Sequence, residues 1–209
     1  MDRLADVLAV AGPVAVAAAW VVVRAGLASV WMAMGPTLGV LGILSLPAVQ
    51  AARGGFSVPL ALLLGLGAGV LLYVATAAFM AVAVRWPPLA RHTDAVYDQR
   101  RGLSLGAALG ISLLLVAPGE ELLWRGVVLD VLARSLAGWP IVPVIAWFAY
   151  VAANAFSGSI PIVLAAAVGG GVWTALASLT GGVAAPLACH VVWTALMILR
   201  PPVPRSGRA

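Results

Sequence analysis

Long apolar runs, separated by short polar or proline-containing segments, dominate the chain. An α-helix rises about 1.5 Å per residue, so a run of about 20 apolar residues can cross the ~30 Å hydrocarbon core of a bilayer. The pattern predicts about seven such spans, with a range of about six to eight. Their approximate bounds are 5–23, 27–50, 58–84, 103–135, 141–156, 161–179 and 183–199. We therefore predict an all-α fold, a polytopic bundle of transmembrane helices.

The composition strengthens this prediction. Hydrophobic residues make up 63% of the 209 residues and charged residues only 9%, whereas soluble domains have about 25% charged residues. The net charge of +5 comes from arginines at the edges of the apolar runs, where they determine membrane topology, so we expect no nucleic-acid partner. The single cysteine, Cys189, excludes an internal disulfide and a Cys-rich zinc site. We expect a multi-pass protein of the cell membrane in contact with lipid.

The spacing of the runs divides the chain into four segments. Residues 1–84 contain about three N-terminal transmembrane helices, and 85–102 form a polar loop. Residues 103–199 contain the four C-terminal spans, which polar residues interrupt. Residues 200–209 form a basic tail that we expect to be disordered. In the third span, Gly65 and Gly69 are spaced for close contact with another helix.

The distribution of arginines predicts the orientation of the chain. If the 85–102 segment and the tail are both cytoplasmic, eight loop arginines lie in the cytoplasm and two on the other side. This asymmetry satisfies the positive-inside rule and predicts an outside N-terminus. The prediction requires 103–135 to be one span, because a break at Pro118 and Gly119 would reverse the later segments.

The candidate chemistry begins with Glu120 and Glu121, the only two glutamates, which lie between apolar runs. A charged residue deep in a bilayer costs at least ~2.5–3.5 kcal/mol and usually marks function. Glu121 lies one helical turn before Arg125, so these two can pair. Glu120, without such a partner, suits the role of a general base. The alternative is that all three form a buried charge cluster that only fixes helix packing.

Two later spans contain further polar residues. His190 and Thr194 lie one turn apart on one face of the last span. Asn154, the only asparagine, lies in the fifth span and needs a hydrogen-bond partner if it is buried. Counting helix rise from the span edges places Glu120, Asn154 and His190 within a few turns of the membrane middle. The three residues either converge on one polar pocket or bond separately to neighbouring helices.

These residues resemble the signature of the CPBP family of intramembrane proteases, also called the CAAX prenyl endopeptidase and Abi (bacteriocin-processing) family. That signature is Glu-Glu-x-x-x-Arg, then aromatic-x-x-x-His, then His-x-x-x-Asn or Asp. The first motif matches in full as Glu120, Glu121 and Arg125, and His190 matches the third. The second motif reads Tyr150-x-x-x-Asn154, with asparagine in place of histidine, and Thr194 stands where the third has Asn or Asp. The resemblance covers 103–199.

The resemblance implies an intramembrane endopeptidase, in a bacterial plasma membrane, that hydrolyses membrane-associated peptides or proteins. Glu120 would activate the water, and His190 would polarise the peptide carbonyl. Asparagine cannot exchange a proton and threonine offers a single hydroxyl, so the alternative is an impaired or inactive relative that binds peptides or membrane proteins, or acts in immunity. A small transporter is a third hypothesis, although no inverted repeat is visible. The implied catalytic residues are Glu120, Glu121, Arg125, Asn154, His190 and Thr194.

A metal is a separate question, because members of this family are often described as metalloproteases. A catalytic zinc ion usually has three protein ligands. Here the only available set would be Glu120, Glu121 and His190. We expect no cofactor and a glutamate-activated water, with zinc as the alternative.

Overall fold

The computed structural model describes residues 2–49, 56–100, 102–137 and 139–202. Within these ranges the chain forms eight α-helices and a short 3₁₀ turn, with no strand. The all-α prediction is confirmed. The helices are α1 (Asp2–Arg24), α2 (Val30–Ser45), α3 (Val58–Ala83), α4 (Pro87–Asp98), α5 (Leu105–Ser135), α6 (Val142–Ala155), α7 (Ile160–Thr180) and α8 (Ala184–Leu199).

Seven of these helices are apolar, and they correspond to the seven predicted spans. Five are long and apolar enough to cross a membrane: α1, α2 with its 3₁₀ turn, α3, α5 and α7. The other two, α6 and α8, have 14 and 16 residues, so they are only about 21 and 24 Å long. The protein is a multi-pass membrane protein.

The helix α5 runs without a break from Leu105 to Ser135. Pro118 and Gly119 therefore do not divide it. The orientation predicted from the arginines required a single span in this region, and that condition is met. Two stretches of α5, Ser112–Val116 and Leu122–Val128, have the wider π-helical turn. Such stretches are rare and often occur at functional sites. The second follows the glutamate pair directly.

The segment 85–102 is not the loop that its polarity suggests, because it contains the helix α4. Prolines at the start of α4 suit the first helical turn, and Leu89 and Thr93, four residues apart, are its buried positions. After α4, Gln99 accepts a hydrogen bond from the Val30 amide at 2.8 Å. This segment therefore connects to the start of α2.

Tyr97 connects α4 to the end of α8, since its hydroxyl donates to the Met197 carbonyl at 3.4 Å. Burial disfavours the phenolate and raises the pKa of Tyr97 to about 12. On α3, the Tyr73 hydroxyl donates to the Arg200 carbonyl at 2.7 Å. Residues 203–209 of the predicted disordered tail lie outside the described residues, as does Arg53 of the orientation argument.

Glycines allow two pairs of helices to touch backbone to backbone. A methyl group added at Gly65 of α3 would collide with the Ala185 carbonyl, and one at Gly69 would lie 2.7 Å from the Cys189 carbonyl oxygen. The predicted small-residue contact is thus confirmed, and its partner is α8. Similarly, a methyl group added at Gly42 of α2 would lie 2.8 Å from the Cα of Gly119. These contacts fix α8 and α5, the helices that contain His190 and the glutamate pair.

Candidate active site

The glutamate pair lies in the middle of α5 with almost no exposed surface. The exposed fraction is 5% for Glu120 and 0% for Glu121. Around this part of α5 pack α1, α2, α6, α7 and α8. A buried carboxylate needs charged or hydrogen-bonding partners, and the two glutamates have different ones.

Glu121 is paired as its spacing predicts. The Arg125 Nη1 atom lies 3.2 Å from the Glu121 Oε1 atom, and both side chains are buried. The Arg125 Nη2 atom donates to the Gly170 carbonyl on α7 at 2.9 Å and to the Thr174 hydroxyl at 3.4 Å. A methyl group at Gly170 would lie 3.4 Å from the Arg125 Nη2 atom. The absence of a side chain there therefore lets the guanidinium reach the backbone of α7.

His190 on α8 completes the chain of contacts that begins at Arg125. Its Nδ1 atom lies 2.8 Å from the same Glu121 Oε1 atom, and its Nε2 atom lies 3.9 Å from the Glu120 Oε2 atom. The imidazole stacks on Trp173 of α7, with ring centroids 3.7 Å apart and planes at 14°. The carboxylate and the indole together fix both the position and the plane of the imidazole. The structure thus brings His190 to the glutamate pair.

Tyr150 on α6 makes the hydrogen bond to Glu120. Its hydroxyl donates to the Glu120 Oε2 atom at 2.8 Å. From the sequence we identified Tyr150 only as the aromatic residue of the second motif, without a role for its hydroxyl. The signal was present, because Tyr150 lies one helical turn before Asn154 and shares its face.

Asn154 is buried, but its amide bonds elsewhere. Its Oδ1 atom accepts from the Trp20 Nε1 atom of α1 at 3.0 Å, and its Nδ2 atom donates to the Tyr150 carbonyl at 3.0 Å. Among the described residues, neither Glu120 nor His190 hydrogen-bonds to this amide. Asn154 therefore connects α6 to α1. Trp20 lies in a span for which we predicted no site residue.

Thr194 lies one turn beyond His190 on α8. Its Oγ1 atom is buried and has no hydrogen-bond partner among the residues that the structure describes. Within the described ranges, the Oε2 atom of Glu121 on α5 is also buried without a hydrogen-bond partner. Such atoms are rare in folded proteins and call for an explanation, such as a bound water or ligand.

A cavity of about 330 Å³ has Arg125 in its lining, whereas Glu120 and His190 do not line it. It is where the end of α5, the start of α6, the end of α7 and the start of α8 meet. Apolar residues such as Leu129 and Trp139 line it together with the polar residues Asp130 and Ser178. In the predicted orientation this end of the bundle faces away from the cytoplasm.

In a comparison with known proteins, one family model matches part of the chain. Residues 103–196 match the model of the family described as type II CAAX prenyl endopeptidase Rce1-like. Over these residues the chain is similar to this CAAX endopeptidase family. No curated protein and no solved structure matches the chain at a significant level.

The match to the CAAX endopeptidase family covers α5 to α8, and so includes Glu120, Arg125, Tyr150 and His190. It leaves out α1 to α4. Trp20, which bonds to Asn154, is therefore contributed by a helix outside the matched segment.

The metal question raised by the family can be tested on the donor atoms. Among the described residues, no group of three or more His, Cys, Asp and Glu side chains could hold a metal ion. The Oε1 atom of Glu121 is already shared by Arg125 and His190, and that contact occupies the Nδ1 atom of His190. The residues present do not fit a zinc centre with three protein ligands.

Proposed function

We propose that this protein is an intramembrane endopeptidase that hydrolyses peptide bonds of membrane-associated peptides or proteins with a water activated by Glu120. The observation that supports this most is the meeting of Glu120 and His190, from α5 and α8, with 3.9 Å between the Glu120 Oε2 and His190 Nε2 atoms. A base and a proton donor on separate helices can act on opposite sides of a substrate carbonyl.

The charges of the cluster suit such a reaction. With both glutamates and Arg125 ionised and His190 neutral, one negative charge is left over. An uncompensated charge in an apolar interior is costly. One additional proton, held by either Glu120 or His190, makes the cluster neutral. The site can therefore keep one proton that moves between a base and a donor.

The proposed reaction starts with that proton on His190 and with Glu120 ionised. Glu120 removes a proton from the water as its oxygen bonds to the peptide carbonyl carbon, and protonated His190 donates a hydrogen bond from Nε2 to the carbonyl oxygen as it becomes negative. The carbon–nitrogen bond then breaks, and Glu120 returns its proton to the departing amine. Such electrostatic support of the oxyanion is commonly the largest single contribution to catalysis.

Glu121 and Arg125 support the reaction indirectly. The carboxylate of Glu121 accepts from His190 Nδ1, and this orients the imidazole so that Nε2 faces Glu120. Arg125 holds Glu121 in place from the α7 side. In this proposal, the unpartnered hydroxyl of Thr194 gives the developing oxyanion a second donor one turn from His190.

The substrate class follows from the location of the site. Because Glu120 and His190 lie inside a membrane bundle, the substrate must bring its peptide bond into the membrane, either as a transmembrane segment or next to a lipid anchor. The family description names CAAX prenyl substrates; prenylated proteins are one option for this chain, and bacteriocin-type peptides are another. We propose the cavity beside Arg125 as part of the approach route.

The test uses purified protein in lipid vesicles and a panel of membrane-proximal peptides. We expect cleavage by the native protein and a loss of at least about 10²-fold in rate for Glu120→Gln, because the general base is removed. Asp6→Asn, a carboxylate-to-amide change at an exposed position of α1, is the matched control and should cleave normally. Equal rates for Glu120→Gln and native protein would refute the proposal. Binding of peptides without turnover would favour the inactive relative.

A further inference from the structure

The two oxygens of the Glu120 carboxylate have different surroundings. The Oε2 atom accepts the hydrogen bond from the Tyr150 hydroxyl at 2.8 Å, while the His190 Nε2 atom is too far, at 3.9 Å, for a direct bond. No described residue donates a hydrogen bond to the Oε1 atom. A bond that holds one oxygen fixes the plane of the carboxylate and leaves the other free for a water molecule.

Tyr150 is itself held tightly, so its hydroxyl can position another group. Its ring makes edge contacts with Trp124 and Trp173, with centroid distances of 5.3 and 6.4 Å. The Arg125 guanidinium carbon lies 4.6 Å from the ring centroid, on its face. A methyl group added at Gly170 would lie 2.6 Å from the ring, so the backbone of α7 closes the remaining side.

The rotation of α6 is fixed one turn further along. Asn154 accepts a hydrogen bond from Trp20 and donates one to the Tyr150 carbonyl. These bonds keep its amide on the α1 side of α6. Of the two polar side chains on this helix face, Tyr150 is the one that contacts the carboxylate.

We infer that Tyr150 is a positioning residue for Glu120, orienting the carboxylate so that its free oxygen holds the reacting water, whereas Asn154 holds α6 against α1 through Trp20. This role rests on the function proposed above. In this role Tyr150 affects turnover by orienting Glu120, and it does not contact the substrate.

The first test compares Tyr150→Phe with Tyr73→Phe in the peptide cleavage assay. Both changes remove one hydroxyl, but the Tyr73 hydroxyl bonds to the Arg200 carbonyl and not to a carboxylate. Tyr150→Phe should lower kcat by about 10²-fold, because a misplaced base loses orientation, with KM changed by about twofold or less. Tyr73→Phe should change neither. 4-Aminophenylalanine at position 150, whose amine can donate to Glu120, should restore part of kcat.

A second measurement does not need activity, and so separates this inference from the proposed function. Carbodiimides react with protonated, accessible carboxyl groups, and mass spectrometry locates the adduct. Loss of the Tyr150 hydroxyl should speed modification of Glu120 by about tenfold, since a hydrogen bond to the charged carboxylate favours that form. Tyr73→Phe should be modified at the native rate.

Equal labelling of Glu120 in native protein and in folded Tyr150→Phe would overturn the inference, even if the native protein cleaves no peptide. If Tyr150→Phe does not fold, the same comparison is made with 4-aminophenylalanine at this position, where labelling at the native rate is expected and tenfold faster labelling would overturn the inference.

Discussion

The N-terminal helices α1 to α3 and the C-terminal helices α5 to α8 divide the protein into two unlike regions. The first exposes large apolar side chains to lipid, such as Val10 and Leu71, each 71% exposed. The second surrounds a charged cluster. Yet the first region supplies Trp20 to Asn154 and closes against α5 and α8 through Gly42 and Gly65. The candidate chemistry therefore resides in the matched segment, while its geometry depends on both regions.

The largest effect should come from breaking the charge cluster of the C-terminal region. Arg125→Met leaves Glu121 buried without its guanidinium, and removal of one partner of a buried ion pair typically costs about 3–5 kcal/mol. Arg134→Met is the matched control, because Arg134 forms the same i,i+4 pair with Asp130 near the surface, where such pairs contribute about 0.3–0.5 kcal/mol. Unfolding in a mixed-micelle titration measures both. Similar losses for the two variants would mean that burial does not distinguish these pairs.

The next effect should come from the packing of the N-terminal region on α8. Gly65→Val places a branched side chain against the Ala185 carbonyl, and overpacking of this kind costs about 1–3 kcal/mol. Gly67→Val, two residues along the same helix, has open space around the added carbon and controls for helix propensity. We expect lower unfolding stability and slower peptide cleavage for Gly65→Val alone. A stable and fully active Gly65→Val protein would show that α8 does not need this contact.

The smallest effect should come from the single hydrogen bond that joins the two regions. Trp20→Phe keeps an aromatic ring but removes the donor to Asn154, which should cost about 1 kcal/mol of unfolding free energy. Trp86→Phe, at a side chain that is 54% exposed, is the control and should be neutral. Equal stability of the two variants would argue that the bond between Trp20 and Asn154 makes no net contribution.

The helices and part of the site could be predicted because their signals are local. Apolar runs predict spans by length alone, and the spacing of Glu121 and Arg125 predicts their pairing on one helix. The depth of each residue in the membrane allowed His190 to meet the glutamates, as one of the two alternatives that the sequence left open. The helix α4 was missed because its prolines and charges are typical of loops, although Leu89 and Thr93 already had helical spacing.

The remaining contacts depend on how the helices pack, which one sequence does not specify. Nothing along the chain indicates that Trp20 is near Asn154, 134 positions away. The stacking of Trp173 on His190 likewise depends on the rotation of α7 against α8. For the same reason the sequence drew attention to Asn154, the more unusual polar residue, and not to the hydroxyl of Tyr150. The role of Thr194 stays a prediction.

The shortness of α6 and α8 has a consequence for the surrounding membrane. At about 21 and 24 Å, these two helices are shorter than the ~30 Å hydrocarbon core, whereas α3 with its 26 residues is about 39 Å long. A bilayer adapts to such a mismatch by thinning locally around the short helices and by tilting the long ones. Lipid headgroups and water would then lie closest to the core around α6 and around α8, the helices that contain Tyr150 and His190. The acyl-chain length of the host membrane thus becomes a property to which this site is sensitive.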